Sequence, residues 1–469
     1  MTRLIIEKEL REIIGSTKFA VSFGVCALLI LLSFSIGAKN YHVSVAQYEA
    51  AKRENIRQME GLTDWFSVRT HRIFLPPQPL ASLVNGVSND IGRTIEMQGR
   101  GELTADDSRY NDEPMFAIFR FLDLEFIFQI VLSLFAIVFA FDSINGEKER
   151  GTLRLSFANA VPREKYILGK LLGSFLALGI PLIVAILAGC LTLPLFGISL
   201  NGDEWLRLTL VIGAGLLYFG LFLSLSIFVS ALTHRSSHSF LMLLVVWILS
   251  VLIIPRASVL LAGRAVDVPS VDELASQKNR FSSQLWKEDR EKMSAFKATA
   301  AEPMKQMEEF QQFMGKQNDE RDKKMQEFSG KLNEDRANRQ TVQQKLALNL
   351  ARVSPATTFS LLATTLSGTS LQLKDKFRNE ATAYQQSYAN FIKAKTGMVP
   401  GGRMMVFRME VNGEKAKQID PYEMPVFQYN PFSLQDVLSS SLLDFGILVI
   451  FNLLFFIGAY IAFIKYDVR

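Results

Sequence analysis

Segment 145–170, NGEKERGTLRLSFANAVPREKYILGK, carries the charged side chains whose types and spacing most clearly suggest a chemical role. Six of these side chains are basic, and acidic residues alternate with basic ones in the run EKER. Charges of both signs on a short amphipathic frame favour docking to a complementary surface. We therefore interpret the segment as a helix that binds in a groove of a partner protein. A charged loop without a partner is the alternative.

Nucleotide binding by this chain is not predicted. A P-loop requires the pattern G-x-x-x-x-G-K-[ST], and the nearest stretches, residues 15–18 (GSTK) and 169–170 (GK), lack its remaining positions. No Ser/His/Asp or Cys/His set is spaced for nucleophilic catalysis. The chain is accordingly predicted not to be an enzyme.

Two patterns bear on metal binding, and neither predicts a site. His234 and His238 have the i, i+4 spacing of two ligands on one helix face, but their short loop offers no third ligand. Methionines at helical spacing between Met304 and Met325 are more typical of a packing surface than of a soft-metal site. We predict no metal ion in this chain.

The polar segments are connected by stretches of about 20 apolar residues. A helix of that length crosses a hydrocarbon core of about 30 Å. A soluble protein could bury such stretches only in a very large hydrophobic core. Cys26 and Cys190 fall in separate apolar stretches, so no disulfide is expected. The sequence predicts an all-α integral membrane bundle, with transmembrane helices at residues 19–37, 122–143, 171–196, 208–232, 239–261 and 442–464.

The basic residues predict the orientation of the bundle. Outside the two long polar segments, lysine and arginine lie mainly in residues 1–18 and 145–170, in the loop around Arg235, and in the tail 465–469. Six spans place all of these on one side, which the positive-inside rule assigns to the cytoplasm. The long segments are also rich in lysine and arginine, but long domains translocate largely regardless of charge. We predict a multi-pass protein of a bacterial cytoplasmic (inner) membrane with both termini in the cytoplasm. Residues 1–18 are predicted to form an amphipathic helix on the membrane face.

Two long polar segments, residues 38–120 and 263–435, then face the other side as extracytoplasmic segments. The second is rich in helix-forming residues and has an apolar stripe between Met304 and Leu350, so we predict a long helical hairpin. Residues 354–370 (SPATTFSLLATTLSGTS) are too short to cross and are expected in the outer interface. Apolar and polar residues alternate around the Asn-Gly pair at 412–413, which predicts a small β-hairpin.

The run GEKERGTLRLSFANAVPREKYILGKLL resembles the signature of ABC-2 type permeases. In that signature an acidic-basic run precedes Gly-Thr-Leu, a Pro-Arg pair follows, and Gly-Lys opens the third span. The six-span layout and the amphipathic N-terminal segment fit the same family. The extended piece FLPPQPLASLVNG and the large outward block resemble a subgroup with a large extracytoplasmic domain.

The resemblance implies that segment 145–170 is the coupling helix of an ABC exporter and sits in a cleft of an ABC ATPase. ATP and Mg would belong to that ATPase, with no cofactor in this chain. A second permease subunit, identical or related, and membrane lipid are also implied as partners; an extracytoplasmic protein is a further candidate, and no nucleic acid is expected. The residues implied to couple to the ATPase are Glu147, Glu149, Arg150, Gly151, Thr152, Leu153, Pro162 and Arg163.

Three functions are open at this point. A permease would export a substrate that the sequence does not name. A mechanotransmission device would use ATP hydrolysis to move the outward hairpin against an extracytoplasmic partner, with no flux across the bilayer. A membrane scaffold or sensor would act without any ATPase.

Overall fold

The computed structural model describes residues 1–65, 71–88, 91–97, 123–158, 161–296, 303–396 and 418–465, together with residues 68, 103, 105 and 106. The chain forms two units, Met1–Val251 with Pro355–Arg469, and Leu252–Ser354. Within the described ranges, six helices are long and apolar enough to cross a membrane. The predicted all-α membrane bundle is therefore confirmed.

The first unit contains most of the helices. In chain order they are α1 (Thr2–Ile14), α2 (Thr17–Arg57), α3 (Leu124–Phe126), α4 (Ser133–Ala140), α5 (Asn145–Glu149), α6 (Thr152–Ala158), α7 (Arg163–Leu195), α8 (Gly202–Leu232), α9 (Ser236–Ile248), α13 (Pro355–Ser367), α14 (Gln372–Thr396) and α15 (Leu434–Lys465). The second unit contains α10 (Ile254–Ala265), α11 (Val271–Ala295) and α12 (Pro303–Ala351). We call the end of the bundle that carries α1, α5 and α6 the proximal end, and the opposite end the distal end.

Helix α2 is longer than the predicted span at residues 19–37, because it continues to Arg57. Its 41 residues give a length of about 62 Å, roughly twice the hydrocarbon thickness. After Gly37 the sequence AKNYHVSVAQYEAAKRENIR contains neither glycine nor proline. Nothing in that stretch ends the helix, so the polar residues extend the span instead of beginning a separate segment.

Helix α8 is the centre of the bundle, and Tyr218 lies near its midpoint, fully buried. A π-helical stretch, Ile127–Leu132, separates α3 from α4. The Tyr218 hydroxyl donates to the Gln129 carbonyl in that stretch at 3.1 Å. A π-helical stretch leaves backbone groups without their usual helical partners, and the tyrosine satisfies one of them.

Helix α13 corrects the expectation for residues 354–370. It packs against α8 and α15, and the Phe359 ring stacks on Tyr218 with centroids 4.8 Å apart. Because Tyr218 lies near the middle of α8, α13 enters the bundle rather than lying in the outer interface. The run is short and half polar, and only its buried face, which includes Ala356, Phe359 and Leu362, meets apolar neighbours. Backbone that enters a bundle in this way is tolerated where protein surrounds it.

A second, smaller core lies at the distal end of the first unit. An antiparallel sheet of β1 (His71–Phe74), β2 (Thr94–Met97) and β3 (Ala105–Asp106) has the order β1-β2-β3, with Ile73 opposite Ile95. Buried residues of the sheet and of α14 form one apolar cluster. The sequence did not predict these strands, and the predicted hairpin at residues 412–413 lies outside the described residues.

The second unit confirms the predicted helical hairpin. Helices α11 and α12 run antiparallel, and the Phe281 and Phe328 rings stack with centroids 4.1 Å apart. The polar run GKQNDERDKK interrupts the apolar stripe of α12 where Arg321 binds Asp289 at 3.1 Å and lies 4.0 Å from the Trp286 ring centroid. An ion pair and a cation–π contact therefore replace apolar packing at that level of the hairpin.

Candidate functional site

The segment singled out by sequence forms two short helices, α5 and α6, at the proximal end. They are joined at Gly151, whose φ of 73° lies in the left-handed region that favours glycine. The Thr152 hydroxyl donates to the Glu147 carbonyl at 3.3 Å and closes the turn. Pro162 is the N-cap residue of α7, and Arg163 is the first residue of that helix. We call α5 and α6 the coupling segment, after the role that the sequence resemblance predicts for this region.

Glu147 is buried and connects the coupling segment to two other helices. One carboxylate oxygen lies 2.8 Å from the Lys8 ammonium of α1 and 3.0 Å from the Lys170 ammonium of α7. The other oxygen accepts a hydrogen bond from the Tyr166 hydroxyl of α7. A carboxylate with three such donors is held in one geometry, since each charge-assisted bond is stronger than a neutral one.

Lys170 and Glu9 complete this group, which we call the proximal charge cluster: Lys8, Glu9, Glu147, Tyr166 and Lys170. The Lys170 ammonium binds the Glu9 carboxylate at 2.8 Å, and both side chains are almost fully buried. Two ammonium groups face two carboxylates, so the cluster is neutral, as buried charge requires. Burial raises the pKa of Glu9, and the Lys170 ammonium opposes that rise.

The cluster depends on a close approach of α1 to α7. A Cβ atom at Gly169 would lie 2.8 Å from Ile5 Cβ, and one at Gly173 would lie 2.8 Å from Glu9 Cβ. Both glycines face α1, one turn apart, on either side of Lys170. Because neither carries a side chain, the backbone of α7 comes near enough for Lys170 to reach Glu9.

We expect Gly169→Ala to destabilise the protein. The added methyl group would meet Ile5, and overpacking costs about 1–3 kcal/mol, against a gain of about 1 kcal/mol for alanine over glycine in a helix. Gly179→Ala on the same helix is the matched control, because the nearest atom to its Cβ would be 3.9 Å away. Thermal unfolding in detergent should therefore shift in opposite directions. A Gly169 variant as stable as the control would contradict the tight contact.

The charged residues on both sides of the cluster bind the ends of other helices. The Glu149 carboxylate accepts from the Ser236 backbone N–H at 2.8 Å and from its hydroxyl at 2.9 Å, at the start of α9. Lys148 donates to the Ala231 carbonyl at 2.7 Å, at the end of α8. Arg163 donates to the Ile464 carbonyl at 2.6 Å, at the end of α15. Acids at helix N-termini and bases at C-termini also complement the helix dipoles.

The structure separates the sequence-predicted coupling residues into two groups. Glu147 and Leu153 are buried, and Leu153 is only 2% exposed, so both act inside the protein in this conformation. The exposed residues of the predicted set are Glu149, Arg150, Gly151, Thr152 and Pro162, and Arg163 is half-buried.

Arg154 and Lys165 add two exposed basic side chains to this surface. Glu164, between Arg163 and Lys165, is also exposed. The surface that a partner could touch therefore carries charges of both signs, with glycine, threonine and proline between them. No group of three or more histidine, cysteine, aspartate or glutamate residues that could hold a metal ion occurs in the part of the chain that the structure describes.

Comparison with known families decides the identity of this architecture. A family model described as "ABC-2 family transporter protein" matches residues 3–468. The chain belongs to the ABC-2 transporter family. A search of curated proteins finds no significant match.

This ABC-2 protein is a multi-pass permease, the membrane component of an ABC transporter. Membership of the family implies an ABC ATPase partner. The sequence signature that indicated the family is the segment that forms α5, α6 and the start of α7. The coupling roles of its individual residues stay predictions.

Sequence reasoning missed four members of the proximal charge cluster as functional residues: Lys8, Glu9, Tyr166 and Lys170. One signal was present, because Lys170 stands at the start of an apolar span, where a charge is costly without a partner. The partner, Glu9, precedes it by 161 residues, and no local pattern points to it. Only the packing of α1 on α7 identifies the pair.

Proposed function

We propose that this ABC-2 permease couples ATP hydrolysis by a separate ABC ATPase to the export of a substrate across the membrane. In this proposal the coupling segment docks on the ATPase through its exposed surface, and both termini lie in the cytoplasm of a bacterial cell. ATP and Mg bind to the ATPase, and a second permease subunit, identical or related, completes the transporter. The substrate class is not part of the proposal.

The observation that carries the proposal is the linkage of an exposed charged surface to a buried charge cluster. Arg150 and Arg154 are exposed on the coupling segment, while Glu147 beneath them is fixed to α1 and α7. Lys148, Glu149 and Arg163 bind the ends of three more helices. A displacement of the segment would therefore be transmitted to α1, α7, α8, α9 and α15 together.

The first test is the double charge reversal Arg150→Glu/Arg154→Glu. We expect the detergent-extracted variant to lose the ABC ATPase that accompanies the wild type, because reversing two exposed charges would disrupt the charge complementarity that the proposed interface requires. Mass spectrometry identifies the ATPase, and its turnover is assayed. Lys39→Glu/Lys52→Glu is the matched control, since both lysines are exposed on the distal half of α2 and the net charge change is the same. Equal recovery of the ATPase with both variants would contradict docking through the coupling segment.

Mechanotransmission without flux is the second candidate, and the hairpin of the second unit favours it. Helix α12 has 49 residues, a length of about 73 Å, which is long enough to act as a lever. Purified permease and ATPase in sealed vesicles distinguish the two functions. Substrate accumulation that depends on ATP supports export, whereas ATP turnover with hairpin movement and no flux supports mechanical work. A permease that binds no ATPase would instead leave the scaffold or sensor function.

A further inference from the structure

Arg207 is a buried cation at the distal end of the bundle, far from the coupling segment along α8. It lies five residues after Gly202, the first residue of α8, and is 8% exposed. One terminal nitrogen donates to the Phe432 carbonyl at 2.5 Å. In the part of the chain that the structure describes, the buried Nε atom has no hydrogen-bond partner. A guanidinium has five N–H donors, so the described residues use only part of its hydrogen-bonding capacity.

Among the described residues, no ion pair includes Arg207. Glu380 and Asp436, acidic residues near this end, accept hydrogen bonds from the Asn430 N–H at 3.3 Å and from the Ser433 hydroxyl at 2.6 Å. A buried charge without a counter-ion is costly unless a ligand provides one.

A glycine brings polar and aromatic groups close to the guanidinium, and a further positive charge lies near them. At Gly368, whose φ is 73°, a Cβ atom would lie 3.9 Å from an Arg207 terminal nitrogen and 3.1 Å from the Gln78 amide oxygen. Because glycine has no Cβ, the Gln78 amide can lie this close to the backbone next to Arg207. The Lys376 ammonium lies 4.5 Å from the ring centroid of Phe432, the residue whose carbonyl Arg207 binds. Burial raises the pKa of the Glu380 carboxyl, and the nearby Lys376 ammonium opposes that rise.

The depth of Arg207 along α8 indicates the kind of anion. Helix α8 has 31 residues, about 46 Å, which matches the bilayer thickness of about 40–45 Å with its headgroups. Arg207 is about 8 Å from the distal end, at the boundary between headgroups and hydrocarbon. Phosphate groups of lipids lie in that layer, and a planar guanidinium binds phosphate through two parallel N–H bonds.

We propose that Arg207 binds a phosphate group at the distal membrane surface, in a site bordered by Gln78, Gly368 and Phe432. The phosphate is the headgroup of a lipid of the distal leaflet or a free phosphate ion. The site is separate from the coupling segment, so it is independent of how the ATPase docks.

The test uses the delipidated full-length protein in a neutral detergent, with thermal unfolding as the readout. The probes are short-chain phosphatidylglycerol, inorganic phosphate, and the diacylglycerol with the same short chains and no phosphate. We expect phosphatidylglycerol to raise the Tm of the wild type, and diacylglycerol not to. Arg207→Gln should abolish the rise. Lys39→Gln, which removes one exposed positive charge at the same end, should retain it.

The outcomes separate the sources of phosphate. A rise with phosphatidylglycerol alone supports a lipid site, and an equal rise with inorganic phosphate supports a site for the free ion. An equal rise with diacylglycerol, or a full rise in Arg207→Gln, overturns the proposal.

Should Arg207→Gln fail to fold, Arg207→Lys takes its place, because lysine keeps the charge and lacks the planar fork. About tenfold weaker phosphatidylglycerol binding is then expected. Unchanged binding by Arg207→Lys would overturn the proposal.

Discussion

Replacing Lys170 with methionine is expected to destabilise the permease by about 3–5 kcal/mol, the usual cost of removing one partner from a buried ion pair. The change leaves the Glu9 and Glu147 carboxylates buried together, with only Lys8 to balance them. The repulsion between the two carboxylates and their incomplete hydrogen bonding lower the free energy of unfolding. Reversible denaturant unfolding in detergent measures the free energy of unfolding.

Two further variants make the result specific to the proximal charge cluster. Lys165→Met removes an exposed lysine one and a half turns earlier on α7, and surface changes of this kind are usually within about 0.5 kcal/mol. Lys170→Met/Glu9→Gln removes one charge of each sign and leaves the Lys8–Glu147 pair in place. The double variant should be more stable than Lys170→Met alone. A Lys170→Met variant within about 1 kcal/mol of the wild type would show that the cluster is not a buried ionic contact.

The cluster also has a consequence for coupling in the proposed transporter. Arg150 and Arg154 lie outside it, so Lys170→Met/Glu9→Gln is expected to retain its ATPase partner. The variant should nevertheless transmit less of the ATPase movement, because α7 loses its ion pairs with Glu9 of α1 and Glu147 of the coupling segment. ATP turnover with reduced flux is the expected signature, whereas loss of the ATPase itself would indicate that the cluster shapes the docking surface.

The sequence predicted the elements whose information is local. Long apolar runs identified the spans, because crossing a bilayer requires about 20 apolar residues whatever the partners. Helix α12 begins at Pro303, a local signal because proline fits the first turn of a helix. Gly151 is a local signal of the same kind, since glycine readily adopts the positive φ that the turn between α5 and α6 requires.

The elements that depend on distant contacts were not predictable in this way. Helix α13 has 13 residues, and its place beside α8 depends on the fit of Phe359 to Tyr218. The strands β1 to β3 are two to four residues long and depend on α14 for their core. Within segment 145–170 the charges alone did not show that Glu147 is buried while Arg150 is exposed. That distinction requires the position of α1, whose residues are far away in sequence.

Acidification is expected to loosen the distal core, because His71 is buried there without charge. Its Nε2 atom lies 2.8 Å from the Tyr384 hydroxyl, and its Nδ1 atom accepts from the Asn55 amide at 3.3 Å. The Tyr384 hydroxyl in turn donates to the Pro425 carbonyl at 2.7 Å. Each donor thus has one acceptor, and this chain of bonds requires a neutral imidazole with its proton on Nε2. The chain connects α2, β1, α14 and the segment before α15.

Burial lowers the pKa of His71 to about 4, below the usual value of about 6.5 in an unfolded chain. Between these two values the unfolded state binds a proton that the folded state does not, so stability falls as the pH falls from about 6.5 to about 4. The full difference corresponds to about 3 kcal/mol. Below about pH 4 the folded state also binds the proton, and this contribution to the slope ends.

Hydrogen–deuterium exchange of β1 and α14, corrected for the intrinsic pH dependence of exchange, measures this loss of local stability. The wild type should lose protection over the stated range, and His71→Gln should show a much smaller dependence on pH because glutamine does not titrate. His42→Gln is the matched control, since His42 is an exposed histidine on α2, and the variant should lose protection as the wild type does. If His71→Gln keeps the full pH dependence, other groups of the distal core bind the proton, and the neutral His71 chain is not the acid-sensitive element.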